Sequence, residues 1–156
     1  MALIVVLSAC GYRFAVPYAP AGVKSVSVPV FRNATTEPHV DALCTQALRE
    51  HYRRAGLLGG EGSDATVEGV VQGVTSSAFL AAPERGPFPT YRLSGSVRLT
   101  LRQRGQPPRE LVVSGTEEYP SGADVLLTES YRATALRRWC DALMQEGAER
   151  LGDARR

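Results

Sequence analysis

The spacing of apolar residues along this chain switches between the two-residue period of a strand and the period of about 3.6 of a helix. From Val23 to Phe31 it alternates: Val26, Val28 and Val30 face one way, Ser25, Ser27 and Pro29 the other. Pro29 lacks an N–H, so this strand is expected at a sheet edge or to end near that residue. A polar loop, Arg32 to Glu37, leads to Pro38, which suits the first position of a helix with Thr36 or Glu37 as cap. Val40, Leu43, Cys44, Ala47, Leu48 and Tyr52 then form an apolar stripe at helical spacing, and Gly56 ends the helix.

Thr66 to Ala81 predicts a second strand that is partly apolar on both faces, with Val67, Val71 and Phe79 on one and Val70, Val74 and Ala78 on the other. Gly69 and Gly73 within it mark a bulge or a close neighbour. After the proline-rich loop Pro83 to Pro89, which carries Phe88, the alternation is clearest from Tyr91 to Arg104. Tyr91, Leu93, Val97, Leu99 and Leu101 point inward; Arg92, Ser94, Ser96, Arg98, Thr100, Arg102 and Arg104 point outward. Gly105 to Pro108 turns the chain into a fourth strand with Leu111, Val113, Gly115 and Tyr119 inward. A register with Leu101 opposite Leu111 and Arg102 opposite Glu110 satisfies both faces. From Thr128 the period is helical again, through Leu136, Trp139, Cys140, Leu143 and Leu151. The predicted fold class is α+β: a two-layer sandwich, order β-α-β-β-β-α, with two helices on one face of a four-stranded mixed sheet.

At 156 residues and 44% hydrophobic, the chain suits one domain, placed at 23–156. A formal charge of +2 excludes the bulk positive field of a nucleic-acid coat. The Gly60 to Ala65 run, GEGSDA, fits the dinucleotide pattern GxGxx(G/A), but a helix precedes it and a strand follows, the reverse of what pyrophosphate binding needs. It reads as a flexible connection. His39 and His51 flank one helix with no acidic or cysteine cluster to complete a metal site, and they read as surface residues. Cys44 and His51 are two helical turns apart, too far for a nucleophile-base pair. The inventory predicts no catalytic residues, no metal and no cofactor, so the protein is not expected to be an enzyme.

Two features carry chemistry. Residues 1–9, MALIVVLSA, are uncharged and lead into Cys10, and Leu7-Ser8-Ala9-Cys10 resembles the lipobox at the end of a bacterial lipoprotein signal. Cys10 is then the lipid-attachment residue, its thiol taking diacylglycerol as the most nucleophilic side chain available, and residues 10–22 form a lipidated tether. Gly11 rather than Asp after the cysteine implies transport to the outer membrane. The other feature is the outward row Arg92, Arg98, Arg102 and Arg104, whose guanidinium forks suit phosphate; a solvated sheet face partly neutralised by Glu110 and Glu118 accounts for it equally well. Cys44 and Cys140 remain as an even pair. An oxidising compartment permits a disulfide, and two separate buried thiols on apolar helix faces are the simpler alternative.

The run Cys10-Gly-Tyr-Arg-Phe14, the strand Val26-Ser-Val-Pro-Val-Phe31 followed by Asn33 and Pro38, the Ala47-Leu48 helix, the Tyr91-Arg-Leu strand and the closing amphipathic helix together resemble the lipopolysaccharide-assembly lipoprotein family, LptE. The resemblance implies a non-catalytic protein, lipid-anchored in the outer membrane and facing the periplasm. Such a protein plugs the LptD β-barrel translocon, helps it assemble and contacts lipopolysaccharide. Lipid A phosphates would be the ligand of the arginine row. The alternative is a lipoprotein of similar fold serving another envelope complex.

Overall fold

In the computed structural model the chain runs β1 (Val26–Ser27), β2 (Arg32–Asn33), α1 (Val40–Arg54), β3 (Ala65–Phe79), β4 (Thr90–Gln103), β5 (Arg109–Pro120) and α2 (Val125–Gly152). The structure describes residues 19, 20, 22–79 and 89–153. The expected signal remnant 1–9, Cys10, most of the tether and Phe88 lie outside these. One mixed sheet forms, in the order β1-β3-β4-β5, with β2 also paired to β3. Both helices pack together on one face, α1 toward β2 and β3 and α2 mainly over β5. The α+β class follows from the periodicity, with five strands where four were expected.

The extra strand comes from a break in the first one. β1 and β2 both pair in parallel with β3, Val26 opposite Ala65 and Arg32 opposite Val70, so four residues of the edge span three of β3. Pro29 lies in the break. The freed backbone groups are satisfied by α1: the Thr45 hydroxyl accepts the Phe31 N–H at 2.9 Å, and Arg49 Nε donates to the Val28 carbonyl at 2.8 Å. Val28 and Phe31 turn into the core while Val30 is left exposed. The glycine connection after α1 is bonded rather than free. Val26 N–H donates to the Leu57 carbonyl at 2.7 Å, and the Gly59 N–H donates to Val26 at 2.8 Å.

Gly69 and Gly73 do different things. A Cβ at Gly69 would lie 2.5 Å from the Phe31 ring, so this glycine makes room for an aromatic face. At Gly73 the register with β4 shifts, Val71 opposite Val97 but Gly73 opposite Ser96, leaving Gln72 as a bulge residue. The bulge exchanges the two faces of β3, because an extra residue inverts a period of two. Val67 and Val71 face the helices before it; Val74, Ser76 and Ala78 take that side after it, so the expected division of this strand fails beyond residue 71. Gly95 opposite Gly115 forms a shallow floor for Trp139. The Trp139 indole N–H donates to the Gly115 carbonyl at 3.0 Å.

The β4–β5 register also differs from expectation by two residues: Leu99 faces Leu111, Val97 faces Val113 and Thr100 faces Glu110. Pro107 and Pro108 have no N–H for a ladder, so pairing starts only at Arg109 and the loop is longer than a tight turn. An even shift preserves the faces but changes the charge partners. At the helix ends, α1 starts at Val40 after His39 in a left-handed conformation with no side-chain cap, not at Pro38. α2 starts at Val125, capped by Asp124 accepting from the Leu127 N–H at 2.8 Å, three residues before the expected Thr128.

The core lies between helices and sheet, with Trp139, Tyr52, Leu48, Leu93 and Leu99 among its largest fully buried side chains. Cys44 and Cys140 face each other across the α1–α2 seam and form a disulfide, so the reading of two separate thiols gives way. On the same seam His51 is buried, not a surface residue as expected, with Nε2 3.1 Å from Asp141 Oδ1. It lies on the α1 flank turned toward α2; His39 is exposed.

Candidate functional site

Strand alternation places Arg92, Arg98 and Arg102 on the sheet face opposite the helices, all exposed. They do not form a uniform cationic row. Arg92 donates to Glu118 Oε1 at 2.9 Å, its cross-strand neighbour. Arg102 pairs with Glu68 of β3 at 3.1 Å, where Glu110 had been the expected partner. Arg104 lies past the end of β4, in the turn beside Gly105, whose φ is 77°, and so leaves the row.

Arg98 is different. It sits between Val70 on β3 and Val112 on β5, and no described carboxylate pairs with it. On the far side of Val70 lies Arg32 of β2, exposed and likewise without an acidic partner among the described residues. The sheet therefore carries across its middle a band of Arg32, Val70, Arg98 and Val112, with the row of Glu68, Thr100 and Glu110 on one side and the row of Ser96 and Ser114 on the other. Arg32 could not be found from the sequence because its loop shows no alternation; only pairing with β3 brings it beside Arg98. Neighbouring rows present hydroxyls, Ser94, Ser96, Ser114 and Thr116. Such a face can accept an anion at two guanidinium groups while apolar side chains touch the body that carries it.

Two further features lie at the ends. Where α2 begins, Val125 is 76% and Leu126 83% exposed. Three successive apolar residues at a helix start cannot all turn inward, a signal already present in the sequence. Near the α1 entry, Glu37 is buried and forms a hydrogen-bonded ion pair with Arg132 of α2, which also faces Glu129. Burial works against the Arg132 charge, but the two carboxylates outweigh it and raise its pKa. This pair ties α1 to α2 and does not face the arginine band.

A family model described as LptE, lipopolysaccharide-assembly, matches residues 23–151. No curated protein matches the chain. Among solved structures, rare lipoprotein B from Shewanella oneidensis is similar with a TM-score of 0.51 at 11% identity, covering 78% of this chain and 89% of that one. A minor lipoprotein from Acinetobacter baumannii has a TM-score of 0.50 at 16% identity over 87% of this chain and 96% of its own. The dodecamer of a singly substituted PelC variant from Paraburkholderia phytofirmans has a TM-score of 0.50 at 12% identity, covering 86% of this chain and 93% of that one. At these identities the structures establish a shared fold.

Proposed function

This chain belongs to the LptE lipopolysaccharide-assembly family, and we propose from that premise that it is an outer-membrane lipoprotein that sits in an LptD-type β-barrel and contacts lipopolysaccharide through its outer sheet face. The family is a non-enzymatic component of lipopolysaccharide assembly. The match over residues 23–151 carries this reading. The mature chain starts at acylated Cys10, which holds it on the periplasmic side of the outer membrane; each buried methylene of the lipid contributes about 0.8 kcal/mol to that anchorage.

In this reading Arg98 is the first contact for a lipid A phosphate, with Arg32 beside it and Val70 and Val112 against the ligand's apolar part. Arg92 and Arg102 are secondary, since a phosphate must displace Glu118 or Glu68. Exposed pairs of this kind contribute about 0–1 kcal/mol, so the exchange costs little. Arg104, in the turn, contributes least.

The test has three parts. Palmitate labelling of a full-length precursor should be lost in Cys10→Ser. The wild type should co-purify with LptD from detergent-solubilised outer membrane. Arg98→Glu should weaken lipopolysaccharide binding about ten-fold or more, as for a lost charge-assisted bidentate contact, with Arg104→Glu close to wild type. Wild-type binding should fall as salt shortens the screening length to about 8 Å. Full binding by Arg98→Glu would leave the face an ordinary solvated sheet surface, and recovery of a different envelope complex in place of LptD would favour the alternative partner.

A further inference from the structure

The two edges of the sheet are treated unequally. The β1/β2 edge is broken at Pro29, held by Arg49 and Thr45, and covered at Val26 by Leu57 to Gly59, whose backbone hydrogen-bonds it on the side away from β3. These are the devices that keep an edge from pairing with another chain. β5 has none of them along its length. It runs twelve residues, from Arg109 to Pro120, without a register shift, and among the described residues only β4 pairs with it. Its proline comes last.

The start of this edge borders open space, crossed by the Arg109 side chain, which donates to the Leu151 carbonyl at 3.4 Å. A cleft of about 460 Å³ runs between the start of β5, at Arg109, Glu110 and Leu111, and the end of α2, at Glu149, Arg150 and Leu151. α2 packs mainly over β5, and its end forms one wall of this cleft. A second copy of the chain would bring its own α2 over the same strip, where two helices need about 8–10 Å between axes and adjacent strands leave about 4.8 Å. A lone extended segment meets no such obstacle.

We infer that β5 accepts an extended segment of the barrel partner by strand addition. The inference deepens the reading above and rests on it. The interior strands of a closed barrel have no free hydrogen-bonding edge, so the segment is a loop or a terminal strand. Its chemistry is set by the outer face of β5. Glu110 is exposed and without an ion-pair partner among the described residues, and Val112, two positions on, is 48% exposed. The incoming strand therefore places a Lys or Arg opposite Glu110 and an apolar side chain opposite Val112.

Amide hydrogen exchange on the full-length protein, free and in its purified complex with LptD, tests this directly. Strand addition fixes the outward-facing N–H groups of β5, so peptides spanning 109–119 should exchange about ten-fold slower or more in the complex. The double variant Glu110→Lys, Val112→Asp should lower recovery of the complex several-fold with its melting temperature unchanged, since both side chains are exposed. If the complex forms and β5 exchanges as in the free protein, strand addition is wrong and the barrel-plug reading stands. If no complex with LptD forms at all, both fall. The exchange measurement needs no variant, so misfolding of the double variant would not shield the inference.

Discussion

Removal of the Cys44–Cys140 disulfide should cost this domain a large part of its stability. The bond joins α1 to α2 across a sequence separation of 96 residues. In the chain-entropy account, closing a loop of that size restricts the unfolded ensemble by about 4.7 kcal/mol, and measured disulfides more often contribute about 2–4 kcal/mol. Unfolding entropy scales at about 2.1 cal/mol/K per residue. The matched region, 23–151, then loses roughly 0.27 kcal/mol per kelvin, and the expected fall in Tm is roughly 7–17 °C. Alanine is the proper replacement because both cysteines are buried in apolar surroundings, where a serine hydroxyl would add an unrelated penalty. The assay is thermal unfolding followed by circular dichroism, for wild type with and without reductant and for Cys44→Ala, Cys140→Ala and the double variant. Either single replacement abolishes the link, so the two losses should not add. A double variant melting within about 2 °C of wild type, or peptide mass spectrometry finding both thiols free in periplasmically produced protein, would refute the reasoning.

Three further outcomes are expected. Tyr52 has a fully buried hydroxyl with no hydrogen-bond partner among the described residues, and burial pushes its phenol pKa up; Tyr52→Phe should match or exceed wild-type stability by up to about 1 kcal/mol in denaturant titration, and a loss of that size would mean the hydroxyl is satisfied. Gly69→Ala should destabilise by about 1–3 kcal/mol through overpacking against the buried Phe31 ring, with Phe31→Leu recovering part of the loss in a double-mutant cycle; an unaffected Gly69→Ala would show that the ring yields freely. The Asp64 carboxylate accepts the Lys24 N–H at 2.9 Å and the Ser25 N–H at 3.2 Å, and the Lys24 hydrogen bond foremost holds its pKa below the ordinary Asp value. Its contribution is present at every pH above the ordinary carboxylate range and is lost as pH falls through the lower folded-state value, so amide protection at Lys24 and Ser25 should drop only in strong acid, and protection surviving in Asp64→Asn would show that the charge is not needed.

The amino-acid sequence by itself determined the two-layer α+β class, the inward faces of β4 and β5, and the stripes that put Cys44 on α1 and Cys140 on α2, because each follows from a local period repeated over many residues. It also carried enough of the family pattern to point to lipopolysaccharide assembly. Tertiary structure decided what depends on neighbours distant in the chain. One inserted residue at Gln72 inverted β3, two prolines moved the β4–β5 register by two, and Pro29 divided the first strand into two pieces, with α1 side chains bonding the backbone between them. Those shifts rewrote the arginine row. Alternation placed Arg92, Arg98 and Arg102 on one face, but whether each is paired depends on which residue of β3 and β5 lies beside it. Glu68 and Glu118 engaged two of them, and the packing of β2 against β3 set Arg32 near the third. A strand's period says which way a side chain points; its charge partner is fixed by register, and register is a property of the assembled sheet.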